Sequence, residues 1–421
     1  MDQIRSNDNS FLVSSIYTTA QDNNALVDVN EYKFDRSIVP SAVDYSREVV
    51  ANIPASNGGF ASVYHFELPR SGFTNTGHIR LDLKAEAGQV NQNITVRNMF
   101  DAGNYHYVFG FIHAIDNIQL RTKKEILQQL STRDIIAWLE DLPYVEQREA
   151  VALVLSQGVK ETQSSSAGAT ANAQVGTKGS VEFSVYIPLS MFPQFHEATQ
   201  SIDLQHAEPL MISLKLKDRT VLVGAAKQLF ADTNAPDIQI TSAVLNISNM
   251  IYAPDAYNNV LKMYEGTDKT QKITHEFYSN TNIGVGNGVS FKLEGMKNVV
   301  KVYIQAVKDN ALQPITKIRL TSGNKTILEF NGLETKLLAF KNFKGMNNYK
   351  DTWVYTLSFG LQDGQLVGNS FSGSINFAEL TDPRLEVKSS AADSQIFVSV
   401  KQLSVIHMST ASGFLTLGAS N

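Results

Sequence analysis

Cysteine is missing from all 421 residues. That removes disulfides, thiolate metal ligands and cysteine nucleophiles from the chemistry open to this chain. Long hydrophobic runs are missing too, since no stretch reaches the roughly 18 apolar residues of a membrane-crossing helix. Charge is sparse: 18% of residues are charged, 36 basic against 41 acidic, for a net charge of -5. A surface built mainly to coat nucleic acid is therefore not expected, although a small basic patch remains open. Residues Met1 to Ser10 are polar and mixed in charge, without the basic-then-apolar order of a signal peptide, so no leader is expected. Stability has to come from burial, hydrogen bonds and neighbouring subunits.

What is present is alternation. Ile79, Leu81 and Leu83 alternate with Arg80, Asp82 and Lys84; a strand would put the two sets on opposite faces. Val181, Phe183, Val185 and Ile187 repeat the pattern, as do Leu210, Ile212, Leu214 and Leu216. Asp237 to Tyr252 changes phase near Ser242, which a bulge would explain. Later candidates are Ser290 to Leu293, Val299 to Gln305, Ile315 to Leu320, Val354 to Gly360, Ser374 to Phe377, Arg384 to Val387 and Ile396 to His407. One-sided strands need a second layer, so the reading is mainly β with two sandwiches in succession. No convincing residue-level identity links the halves, and duplication is expected from pattern alone.

Helices are few. Ser131 and Asp134 have capping-box spacing ahead of Ile135, Ile136, Trp138 and Leu139, and Tyr144 to Gln157 resumes after Pro143. A helical insertion over about 123–157 is expected, to be packed outside the first sandwich or on a neighbour. Ser164 to Gly179 has too little apolar bulk to hold itself in place. Asp255 to Tyr264 reads as a short helix joining the halves.

Several short stretches together resemble the double jelly-roll major capsid proteins of tailless icosahedral double-stranded DNA viruses and related phages. They are Tyr186-Ile187-Pro188-Leu189 followed by Glu208-Pro209-Leu210, Asn298 to Gln305, Ser372-Gly373-Ser374-Ile375-Asn376-Phe377, and Leu415 to Asn421. The resemblance implies two side-by-side eight-stranded jelly rolls in a homotrimer, because three copies of two similar domains present six similar flanks. The expected layout is an amino-terminal arm over 1–50, a first jelly roll over 51–253, a linker helix over 254–265 and a second jelly roll over 266–421. It also implies a place in the virion capsid, assembled in the host cell. Implied partners are neighbouring capsomers, penton or minor capsid proteins and an internal viral membrane, with no specific nucleic acid. Residues 1–30, with Phe11, Leu12, Val13, Ile16 and Tyr17, would form an inner arm. Two other functions fit the strand pattern: a viral spike or minor vertex protein, and a carbohydrate-binding sandwich using Tyr252, Tyr257 and Tyr264.

The histidines are His65, His78, His106, His113, His196, His206, His275 and His407. They are scattered, and only His206 and Glu208 form a ligand-like pair, without a third ligand nearby. Asp101, Asp116, Asp134 and Asp141 suit acid or base work, but nothing in the sequence joins two of them to a base. No phosphate-binding loop, nucleophile elbow or His-Glu-x-x-His occurs. Lys123 with Lys124, and Phe340-Lys341-Asn342-Phe343-Lys344, are the most suggestive basic and aromatic mixtures; the second reads best as lysines snorkelling over buried aromatics at a subunit flank, with a weak genome contact as the other reading. No catalytic, cofactor or metal residues are expected.

Overall fold

The computed structural model describes residues 42–50, 59–70, 73–90, 94, 110–142, 178–192, 195, 202–203, 209–222, 235–252, 270–285, 288–308, 311–340, 354–359, 374–409 and 415–418. The expected arm over 1–30 and the linker over 254–265 lie outside these residues.

The first half holds β1 (Ala42–Val50), β2 (Val63–Glu67), β3 (Phe73–Glu86), β4 (Ile115–Arg121), β5 (Ile126–Ser131), β6 (Ser180–Pro188), β7 (Ile202–Asp203), β8 (Met211–Leu216) and β9 (Asp237–Tyr252). They pair as one sheet in the order β1-β9-β3-β6, with β7 beside β3, and a second in the order β2-β8-β4-β5. The second half holds β10 (Thr270–Val285), β11 (Val289–Lys292), β12 (Val299–Lys308), β13 (Ala311–Gln313), β14 (Ile315–Ser322), β15 (Lys325–Asn331), β16 (Val354–Ser358), β17 (Pro383–Ser389), β18 (Gln395–Ser409) and β19 (Leu415–Gly418). Here β10-β18-β12-β16 form one sheet, with β13 and β19 as additions, and β11-β17-β14-β15 form the other. With the short strands β7, β13 and β19 set aside, both halves follow one rule. The first, eighth, third and sixth strands make one sheet, and the second, seventh, fourth and fifth make the other. That order is a jelly roll, and it occurs twice.

Alternation builds each core. Ile79, Leu81 and Leu83 are buried while Arg80, Asp82 and Lys84 are only half-buried on the opposite face. The phase change near Ser242 is a bulge, for the register to β3 shifts between Asp82 and Leu83. One expected strand differs: Ile375 makes only an isolated bridge to Val299, and Phe377–Glu379 is a turn of 3-10 helix. Asn376 explains the change, because its side chain accepts a hydrogen bond from Ala378 N at 3.1 Å and so caps that turn. Phe377 is fully buried, edge-on to Phe359 at 5.6 Å between ring centroids.

The two rolls match at a series of equivalent positions. Ile115 pairs with Leu216 and Ile315 with Ser389, each just before a register shift. The hairpins β4-β5 and β14-β15 shift again at Leu120/Arg121 and at Leu320/Thr321. Ile115, Ile118 and Leu120 thus correspond to Ile315, Ile318 and Leu320. Phe66 faces Ile212 as Phe291 faces Leu385, and Leu68 N bonds to Leu210 O as Leu293 N bonds to Pro383 O. Bulges in β3 at Thr74/Thr76 and in β12 at Val299/Lys301 also coincide.

Each roll places a helix after its fifth strand: α1 (Thr132–Asp141) and α2 (Leu333–Phe340). Thr132 Oγ1 donates to Ile115 O, and Thr335 Oγ1 donates to Ile315 O at 2.8 Å. Within the expected helical insertion, residues Ile126–Ser131 are strand β5 instead. Their apolar spacing suits a helix or a strand, and pairing with β4 decides. The part over 143–157 lies outside the described residues.

Candidate functional site: the seam between the rolls

The residues with chemical potential do not converge. His65 Nδ1 meets Ser213 Oγ at 2.9 Å, and His78 meets Asn246 Nδ2 at 3.3 Å. His275 and His407 lie on β10 and β18, whereas His106, His196, His206 and Glu208 fall outside the described residues. Asp116 is held by Lys215 at 2.7 Å, Asp134 caps α1 and Asp141 ends it, while Asp101 is outside the described residues. Lys123 and Lys124 are exposed at the β4-β5 tip. Phe340 ends α2; Lys341, Phe343 and Lys344 are outside the described residues, as are Tyr257 and Tyr264. Among the described residues no group of three or more His, Asp or Glu could hold a metal ion, and no helix is long and apolar enough to cross a membrane.

What the structure does assemble is a contact surface. Strand alternation gives β12 two faces. Val302, Ile304 and Ala306 fill the second core, while Tyr303 and Val307 join the first. Leu312 and Val354 join the first core as well, and Phe397 packs against it. The outer face of the second roll is thus roofed by the first, through α1 and β5.

Local sequence explains how α1 reaches that place. Ser131 Oγ accepts from Asp134 N while Asp134 Oδ2 accepts from Ser131 N at 2.9 Å, a reciprocal capping box that starts the helix. Lys217 Nζ donates to Thr132 Oγ1 at 3.3 Å, and Thr132 ties the helix to β4. From the second roll, Gln305 Nε2 donates to the Arg133 carbonyl at 3.0 Å. The Arg133 guanidinium stacks over Phe397, 5.1 Å from its centroid.

Electrostatics at the seam are unusual for a structural contact. Burial, aided by Arg133 and Lys217, pushes the His113 imidazole down to about 3. Burial lowers Arg133 to about 10. Asp134 is raised by burial, against the opposing pull of hydrogen bonds from Ser131 and Ser399. Lys217 is lowered by burial and by Arg133, with Asp116 acting the other way. Burial thus disfavours the charged form of all four groups, three bases and one acid. The sequence flagged Ser131 and Asp134 as a cap. It gave no sign of Arg133, Gln305, Phe397 or Ser399, because their meeting depends on how two distant sheets stack.

No family model matches the sequence, and no curated protein does. Solved structures do match, over nearly the whole of both chains. The PBCV-1 virus capsid aligns at TM-score 0.61 and 10% identity, covering 92% of this chain and 99% of that one. The Faustovirus major capsid protein gives 0.57 and 11%, covering 96% and 99%. The mavirus major capsid protein gives 0.53 and 10%, covering 89% and 90%. These likenesses agree with the strand order: the chain has the double jelly-roll fold.

Proposed function

We propose that this chain is a major capsid protein whose homotrimers, pseudo-hexagonal in outline, tile an icosahedral virion shell. The observation that carries the reading is the repeated jelly roll, with matching strand order, bulges and helix position in both halves of one chain. Two like units fixed side by side let a threefold oligomer present six like flanks to its neighbours, which is what hexagonal packing asks of a building block. Solved capsid proteins with this fold align with this chain over nearly their whole length. The chain works by shape and by contacts, not by catalysis. Its layout is an arm over 1–50, a first roll over 51–253, a linker over 254–265 and a second roll over 266–421. Its partners are its own copies, neighbouring capsomers, penton or minor capsid proteins and an internal viral membrane on the inner side. The expected location is the virion capsid, assembled in the host cell.

The test is sedimentation of the purified chain followed by cryo-electron microscopy. A stable trimer showing six jelly-roll densities is expected. A protein that stays monomeric at high concentration would overturn the reading. For the arm, a chain lacking residues 1–30 is expected to lose shell assembly while keeping its trimer, and unchanged shells would remove the arm from the scheme.

A further inference from the structure

Three segments of the first roll meet beneath the start of α1. The 3-10 turn Phe111–Ala114 leads into β4, Thr132 opens α1, and Lys217 follows β8. Hydrogen bonds tie them together: Lys217 N donates to Ala114 O at 2.7 Å, Thr132 Oγ1 to Ile115 O, and Lys217 Nζ to Thr132 Oγ1 at 3.3 Å. The junction therefore gathers His113, Arg133 and Lys217, three nitrogen bases from three segments. Arg133 and Lys217 both act electrostatically on His113.

Two of these bases are incompletely satisfied. Arg133 Nη1 and His113 Nε2 are both buried with no hydrogen-bond partner among the described residues. Arg133 makes no ion pair there either, and the Phe397 ring face offsets only part of a buried positive charge. Even lowered to about 10, Arg133 keeps its proton at neutral pH. The neighbouring carboxylates are engaged elsewhere. Asp116 is held by Lys215 at 2.7 Å and is the weakest of the three influences on Lys217. Asp134 is turned to Ser131 and Ser399; its Oδ1 also lacks a partner, but it is not among the groups that act on His113 or Arg133. A buried guanidinium beside two further bases, with no carboxylate against it, calls for a counter-ion.

We propose that His113 Nε2, Arg133 Nη1 and Lys217 Nζ hold a small inorganic anion, chloride in a saline solution, beneath α1 at the joint between the rolls. In that arrangement the neutral imidazole donates from Nε2, the guanidinium donates from Nη1, and the ammonium offers a hydrogen not used on Thr132. A monatomic anion suits the place better than a tetrahedral oxyanion, whose outer oxygens would need further donors where Nη1 and Nε2 are already closed off from solvent. Arg133 and Lys217 as whole residues are only half-buried, so the ion has a short way in. Because α1 also meets Gln305 and Phe397 of the second roll, the ion braces the helix through which the two rolls touch.

Thermal unfolding of the full-length chain at neutral pH, with chloride exchanged for the bulky anion gluconate at constant sodium, tests the site. Raising chloride from about 5 to about 200 mM should lift the wild-type midpoint by about 2 °C or more. The lift should persist in Lys123→Gln, a change at the exposed β4-β5 tip, and vanish in Arg133→Gln. Bromide-soaked crystals of the wild type give a readout that does not depend on a variant folding: an anomalous peak between Arg133 Nη1 and His113 Nε2 is expected. A wild type indifferent to chloride, an equal response in Arg133→Gln, or bromide found only on the exposed surface would overturn the assignment and give the place to water.

Discussion

His113 shows how much a single side chain can reveal about a joint. It is 4% exposed, and its Nε2 is buried without a hydrogen-bond partner among the described residues. With its folded value near 3 and an unfolded value near 6.5, the unfolded chain binds the proton more readily. The stability tied to neutral His113 is fully present above the unfolded value and drains as pH falls toward the folded one. The slope approaches about 1.4 kcal/mol per pH unit within that window. Urea titrations at pH 7, 6 and 5 are expected to show that loss in the wild type and much less of it in His113→Gln. Equal slopes would mean that His113 takes its proton without strain. The imidazole is visible in the sequence as one of eight; its burial within the electrostatic reach of Arg133 and Lys217 is not, because Arg133 and Lys217 come from separate elements.

At the scale of elements, the threonines at the two helix starts are the sharpest sign of repetition. Thr132 and Thr335 each return a hydrogen bond to the carbonyl that opens the fourth strand of their roll, Ile115 or Ile315. A valine at either place keeps the volume and leaves a buried carbonyl without its partner, at a cost of about 1–3 kcal/mol. Thr132→Val and Thr335→Val are each expected to lower the denaturation midpoint, and a change in only one would break the equivalence. Why did the sequence hide this repeat? Ile115-x-x-Ile118-x-Leu120 and Ile315-x-x-Ile318-x-Leu320 share only apolar positions, and Phe66-x-Leu68 and Phe291-x-Leu293 share two residues each. Such short coincidences become meaningful only when pairing and bulges fix the register. Strands with regular alternation, such as β3 and β6, were legible at once. Strand β5 falls inside the expected helical insertion, and the largely polar β10 carries no clear alternation, since its pairing with β18 supplies the order that its own side chains do not announce.

For the whole molecule, the shared core matters most. Tyr303, Val307, Leu312 and Val354 belong to the second roll by chain and to the first by packing. Two domains with an apolar interface of this kind unfold together. Scanning calorimetry is expected to show one transition for the wild type. Tyr303→Ala removes a fully buried ring from the seam and should cost about 3–5 kcal/mol, by analogy with other large aromatic truncations. It should also split the trace in two. A single peak after that change would show that the rolls are coupled elsewhere.

The unlike outer faces of the two rolls have one more consequence. The second presents Tyr303, Val307 and Phe397, and the first presents Arg80, Asp82 and Lys84. Similar skeletons with dissimilar skins give the chain a head and a tail. Swapping their roles would bury ions against hydrocarbon, so the first roll could not take the second's place at the seam. The order of the two rolls at the seam is therefore written into side chains that leave the backbone plan untouched.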